Sequence, residues 1–139
     1  MEKQIMDKRE QRIMDKIWEQ TDVKNSVSVT ELEELFAGEK MSKVSIFKAV
    51  QSLLQKGYIG VEGLELSGTV YARKYEAQIT REQYAAIVLA NGGIRTSSLG
   101  SLVLAMIGND RDDMPNETKD EELIAELEKV IERIRNREV

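Results

Sequence analysis

The chain has 139 residues, 41% hydrophobic and 32% charged, with a formal net charge of −5, a balance that suits one folded domain or two small ones and not a disordered chain. It contains neither cysteine nor histidine, which excludes disulfides, thiol nucleophiles, Ser-His-Asp triads and the usual zinc sites. The densest acidic run, Asp110-Arg111-Asp112-Asp113, lacks the glycine and distal glutamate of a calcium loop and reads as a solvated turn.

The charge is unevenly spread. Residues 1–75 hold twelve basic and twelve acidic side chains, whereas residues 76–139 hold eight basic and thirteen acidic. Within the neutral half, Lys40 to Val61 carries Lys40, Lys43, Lys48 and Lys56 and no acid. A basic island in an acidic protein suits one nucleic-acid site, and an ordinary solvated helix face is the alternative. The apolar runs are too short for a bilayer, and the start Met1-Glu2-Lys3-Gln4-Ile5-Met6 lacks the apolar core of a signal peptide, so a cytoplasmic location without membrane contact is expected.

In chain order, Ile5, Met6, Ile13, Met14, Ile17 and Trp18 recur at three- and four-residue spacings, which predicts a first helix over Lys3 to Gln20. Thr21 to Ser28 reads as a loop or a short edge strand. Thr30-Glu31-Leu32-Glu33 reads as a capping box opening a second helix, with Leu32, Leu35 and Phe36 inward and Gly38 as its left-handed stop. Ser42 caps a third helix that buries Ile46, Val50, Leu53 and Leu54 and stops at Gly57. Lys43, Ser45, Lys48, Gln51 and Ser52 fall on its other side, a small polar and basic face suited to phosphates and base edges. Tyr58 to Glu62 and Thr69 to Tyr75 read as strands of a hairpin whose turn is bracketed by Gly63 and Gly68. Tyr58, Tyr71 and Tyr75 are expected to pack within it. Three helices followed by a hairpin is the order of a winged helix-turn-helix, with the third helix as reader and the hairpin as wing.

Thr80-Arg81-Glu82-Gln83 predicts a further capped helix carrying Tyr84, Ile87, Val88 and Leu89, broken at Asn91-Gly92-Gly93. A short apolar helix with Leu99, Leu102, Val103, Met106 and Ile107 follows, ending at Gly108-Asn109-Asp110. Thr118-Lys119-Asp120-Glu121 predicts the cap of a last helix with Leu123, Leu127, Val130, Ile131 and Ile134 on one stripe. Two short apolar helices without a staple are too few to close a core alone. Their stripes, from Leu99, Leu102, Val103 and Met106 to Leu123, Leu127, Val130, Ile131 and Ile134, are therefore expected to pair with a second copy as a homodimer. The expected architecture is mostly α with a small β-hairpin wing: a winged-helix DNA-binding domain over 1–78, then a helical connector and dimerisation domain over 79–139.

Four segments in this order resemble the penicillinase-repressor (BlaI/MecI/CopY) family of bacterial transcriptional regulators, over about Arg9 to Arg135. They are Ile17-Trp18; Ser42-Lys43-Val44-Ser45-Ile46 with Leu53-Leu54-Gln55-Lys56-Gly57-Tyr58-Ile59; Tyr75 with Ile79-Thr80-Arg81-Glu82-Gln83-Tyr84; and Ser101-Leu102-Val103-Leu104 with Asn109-Asp110 and the Leu123, Leu127, Ile131 helix. The resemblance implies a dimeric repressor on a palindromic operator in double-stranded DNA. By position it implies Ser42, Lys43 and Ser45 at the DNA, Lys48 and Ser52 along the reader helix, and Arg73 or Lys74 of the wing on phosphate. It also implies pairing of subunits through Leu99, Leu102, Val103, Leu127 and Ile131.

The chain departs from the family pattern in places. Met41 stands where Trp is frequent, and Phe47 and Lys48 stand where uncharged polar residues are common, which implies a different operator. The stretch Glu62 to Thr69 is long for a wing and carries Glu65. The resemblance also implies an inducer-linked protease as a partner, yet Ala105-Met106 occupies the place of the usual Asn-Phe cleavage bond. Copper sensing through a cysteine cluster is excluded. The leading expectation is a dimeric, sequence-specific DNA-binding repressor without cofactor or metal. The alternative is a winged-helix protein–protein adaptor that does not bind DNA, favoured by the net charge, Phe47 and Glu65. No paired carboxylates in an apolar setting and no phosphate loop occur, so the chain is read as not an enzyme.

Overall fold

A computed structural model describes residues 5–21, 23–109 and 117–137. The described chain is mostly helical with one two-stranded antiparallel hairpin. It divides into two compact units, Met1–Arg95 and Thr96–Val139. That division lies later than the boundary expected after residue 78. The cause is Tyr84 of the fourth helix, which is buried in the first unit and whose hydroxyl accepts a hydrogen bond from the Met6 N–H at 2.8 Å.

In the first unit, α1 spans Lys8–Gln20, α2 Val29–Leu35, α3 Lys43–Lys56, β1 Ile59–Ser67, β2 Val70–Ala77 and α4 Arg81–Asn91. Helix α1 starts later than the apolar spacing predicts. Asp7 accepts from the Glu10 N–H and Glu10 accepts from the Asp7 N–H, a reciprocal cap that ends the extended entry segment. Met6 is buried just before it, whereas Ile5 is exposed.

Helix α2 is capped at Ser28, with Glu31 closing the box, and not at Thr30. The reason is tertiary. Val27 and Tyr75 exchange two backbone hydrogen bonds, at 2.7 and 2.8 Å, so Val27 is held extended against β2 and the chain turns helical immediately after it. The helix closes at Leu35 with Phe36 as its cap, leaving Gly38 in the turn beyond.

Helix α3 lies where its pattern predicts, from cap Ser42 to Gly57, whose φ of 81° only glycine adopts without strain. Its buried side, Ile46, Ala49, Val50 and Leu53, packs with Ile13, Met14 and Ile17 of α1 and Leu32 and Phe36 at α2. Tyr58, Ile59, Tyr75, Ile79 and Tyr84 complete this core. Trp18 spans its edge: its indole N–H donates to the Ile79 carbonyl at 2.9 Å, and the Arg81 guanidinium stacks on its ring at 4.9 Å.

The hairpin is longer than expected. Gly63 to Ser67 is strand, not turn, and the turn is Gly68-Thr69 alone, with Ser67 paired to Val70. Gly68, at φ 65°, occupies the first central position of a two-residue loop, where a II′ turn requires positive φ. Gly63 instead follows a bulge: Val61 pairs with Tyr75 and Gly63 with Lys74, so Glu62 is the extra residue. Tyr58 and Tyr75 pack in the core as expected, but Tyr71, at 67% exposure, sits beyond the core's reach on the projecting end.

In the second unit a short 3-10 turn, Thr96–Ser98, leads into α5, Leu99–Asn109, and α6 spans Glu117–Arg137. Thr118 falls inside α6 and not at its start; the cap of α6 and the acidic run 110–113 lie outside the described residues. Among the described side chains of this unit none is buried. Leu102, Val103 and Leu127 are half-buried, while Leu99, Met106, Leu123, Val130, Ile131 and Ile134 are exposed. No single helix among the described residues is long and apolar enough to cross a membrane.

Candidate nucleic-acid interface

At 100° per residue, the outer side of α3 presents Lys43, Leu54, Phe47, Gln51, Val44, Gln55 and Lys48 in that angular order, across an arc of about 140°, with Leu54 and Gln51 half-buried. The two lysines bound the arc, and apolar and amide side chains fill its centre. The opposite side carries Ile46, Ala49, Val50 and Leu53, all buried. The helix contains no acidic residue. Val44 is 62% and Phe47 52% exposed, so the two leave adjoining apolar area in water on this face.

Lys43, Phe47 and Gln51 line a groove of about 480 Å³ together with Ala72, Arg73 and Tyr75 of β2 and Val29, Thr30 and Glu33 of α2. The fold thus brings Lys43 and Arg73, distant in sequence, to one concavity. Glu33 is the discordant member. Its carboxylate lies 3.8 Å from the Lys43 ammonium, and its Oε1 has no hydrogen-bond partner.

The expected site residues fall into three groups. Lys43, Lys48 and Arg73 are exposed, Lys43 and Arg73 at the α3–hairpin groove and Lys48 at the far rim of the α3 face. Ser42 is exposed but committed to capping: its hydroxyl accepts from the Ser45 N–H at 3.1 Å and donates its O–H to Ser45 Oγ at 3.1 Å, and Ser45 is half-buried. Ser52 and Lys74 are engaged elsewhere. Ser52 lies on the flank facing α1, where its hydroxyl donates to Glu10 Oε2 at 2.8 Å. The same carboxylate, 2% exposed, takes the Lys56 ammonium at 2.7 Å, so a charged group below the apolar layer joins α1 to α3. Lys74 sits between Glu31 at 3.6 Å and Glu65 at 3.8 Å, and Glu31 also binds Lys24 at 2.7 Å.

Burial by itself pushes the Glu31 carboxyl up, but the Lys24 hydrogen bond, the Ser28 N–H and the charges of Lys24 and Lys74 together hold it below its ordinary 4.5. The pairing leaves little free positive charge on that edge of the hairpin.

Val44 and Glu33 escaped the sequence reading as site residues. Angular placement of the exposed face could have found Val44, but Glu33 reaches the site only through the packing of α2 on α3. Further apolar surface lies on the hairpin, where Leu64, Leu66, Val70 and Tyr71 are each at least 60% exposed. Leu66 pairs with Tyr71 and Leu64 with Arg73, so Leu64, Leu66 and Tyr71 share one face with Arg73, and Val70 lies on the other. Among the described residues no cluster of three or more carboxylates could hold a metal ion. A scan against protein-family models and a search of curated proteins find no match to this chain.

Proposed function

We propose that this protein is a dimeric, sequence-specific transcriptional repressor of winged helix-turn-helix design that binds a palindromic operator in double-stranded DNA. In this reading α3 enters the major groove, the hairpin is the wing, and Lys43, Lys48 and Arg73 meet phosphates. The observation that carries it is the acid-free outer face of α3, bounded by Lys43 and Lys48 and continued by Arg73 across one groove. The resemblance to penicillinase repressors supports the same reading, as does the tail, where no described apolar side chain is buried in a core. Pairing through Leu99, Leu102, Val103, Met106, Leu123, Leu127, Val130, Ile131 and Ile134 would supply one and set two heads at a fixed spacing. The protein acts without catalysis, in the cytoplasm, where its operator is.

The test is a titration of the purified protein on its own upstream promoter DNA at two salt concentrations with scrambled competitor. Tight, competitor-resistant binding that weakens steeply with salt is expected, because phosphate contacts release counterions. Absence of binding by a folded dimer refutes the proposal.

A second reading, a winged-helix adaptor for another protein, is favoured by the exposed Val44 and Phe47, by the apolar hairpin face and by Glu33 beside Lys43. Under that reading the same titration yields no competitor-resistant complex.

A further inference from the structure

The centre of the α3 face sets a problem that phosphate binding does not solve. Two lysines at the rims account for backbone contacts, but Val44 and Phe47 stand between them with most of their apolar surface in water. Neither can donate or accept a hydrogen bond. In a major groove the apolar feature at a base edge is the C5 methyl group of thymine, and side chains such as Phe contact it. Val44 and Phe47 lie in the first turn and a half of α3, the part of a reader helix that reaches base edges. Between them in angle lies Gln51, one turn further on, whose amide has the donor–acceptor pair that matches adenine N7 and N6. The helix has no arginine, and Lys43 and Lys48, which could also meet guanine, stand at the rims of the face and not at its centre.

We propose, on the basis of the DNA-binding reading, that Val44 and Phe47 are specificity-determining residues that read thymine methyl groups. The half-site then carries A·T pairs under the first turns of α3, with Gln51 on an adenine. Charge complementarity selects DNA as the occupant of this apolar strip, since Lys43 and Lys48 flank it on both sides and α3 bears no acid.

The experiment begins with selection of bound duplexes from a random-sequence pool by the full chain. The selected half-site is then remade with 2′-deoxyuridine in place of thymidine, one position at a time, which removes the methyl and keeps every hydrogen-bonding group. Wild-type protein is expected to bind about fourfold more weakly for each contacted methyl removed. Phe47→Ala and Val44→Ala, both at exposed positions and so compatible with the fold, are expected to bind the thymidine duplex more weakly and to lose the thymidine–deoxyuridine difference at one position each. Circular dichroism verifies that both variants are folded. Tight, sequence-specific binding with equal affinity for thymidine and deoxyuridine duplexes overturns the inference while leaving the repressor reading intact. Failure to select any duplex overturns both, and assigns the Val44–Phe47 strip to a protein partner.

Discussion

Glu10 is the most consequential single side chain in the head that the apolar pattern does not explain. Its carboxylate is 2% exposed and accepts from the Lys56 ammonium at 2.7 Å, the Ser52 hydroxyl at 2.8 Å and the Asp7 N–H at 3.0 Å. Glu10→Ala removes all three partners' acceptor and leaves a lysine that is only 19% exposed without its counter-charge. Breaking a buried pair from one side costs about 3–5 kcal/mol, and Lys56 can reach water, so the lower limit applies: about 3 kcal/mol. Ser52→Ala deletes one of three bonds and should cost about 1 kcal/mol. Replacing both charges, with Glu10→Leu and Lys56→Met, should restore part of the loss, because no unpaired charge and no empty space remain, while the Ser52 hydroxyl and the Asp7 N–H still lack their acceptor.

The assay is urea unfolding followed by the fluorescence of Trp18, the one tryptophan of the chain, which reports on this unit. A Glu10→Ala cost below about 1 kcal/mol, or a double variant no more stable than Glu10→Ala, refutes the reasoning. The same series separates structure from recognition. Ser52→Ala should leave the salt dependence of DNA binding unchanged, whereas Lys48→Ala should lower its slope by about one if Lys48 touches phosphate.

Glu33→Gln removes a negative charge 3.8 Å from Lys43 and should raise DNA affinity about fivefold at low salt; a fall would show that the carboxylate accepts a bond from a base. Because the Glu31 carboxyl titrates lower when folded than its ordinary 4.5, its stabilisation is present above that value and is lost as pH falls through the folded value. The urea midpoint should therefore drop below about pH 5, and less steeply in Glu31→Gln. Gly57→Ala forces a side chain into φ 81° and should cost about 1–2 kcal/mol in the same unfolding assay; no change would mean that the α3 exit is not held left-handed. If the tail pairs two chains, Leu127→Lys should convert dimer to monomer in sedimentation velocity, and an unaltered dimer would exclude its stripe from the interface.

Local chemistry made several elements legible in the sequence. Ser42 and Gly57 delimit α3 because a side-chain cap and a left-handed exit act within one turn of chain. Thr80 and Gln83 open α4 by the same short-range exchange of hydrogen bonds. The β-branched and aromatic stretches on either side of Gly63 and Gly68 announced a hairpin, and the absence of histidine and cysteine removed whole classes of chemistry outright. What remained depended on partners far along the chain. Thr30 and Ser28 are both competent caps, and only the bonds between Val27 and Tyr75 decide for Ser28. Gly63 is as good a turn residue as a bulge neighbour until the register of β1 on β2 is known. Ser52 and Lys74 look as available as Lys43 and Lys48 in one dimension. Glu10 and Glu31, held in place by α1 and α2, withdraw them from the surface, because a carboxylate deprived of water takes the nearest donors the fold brings to it.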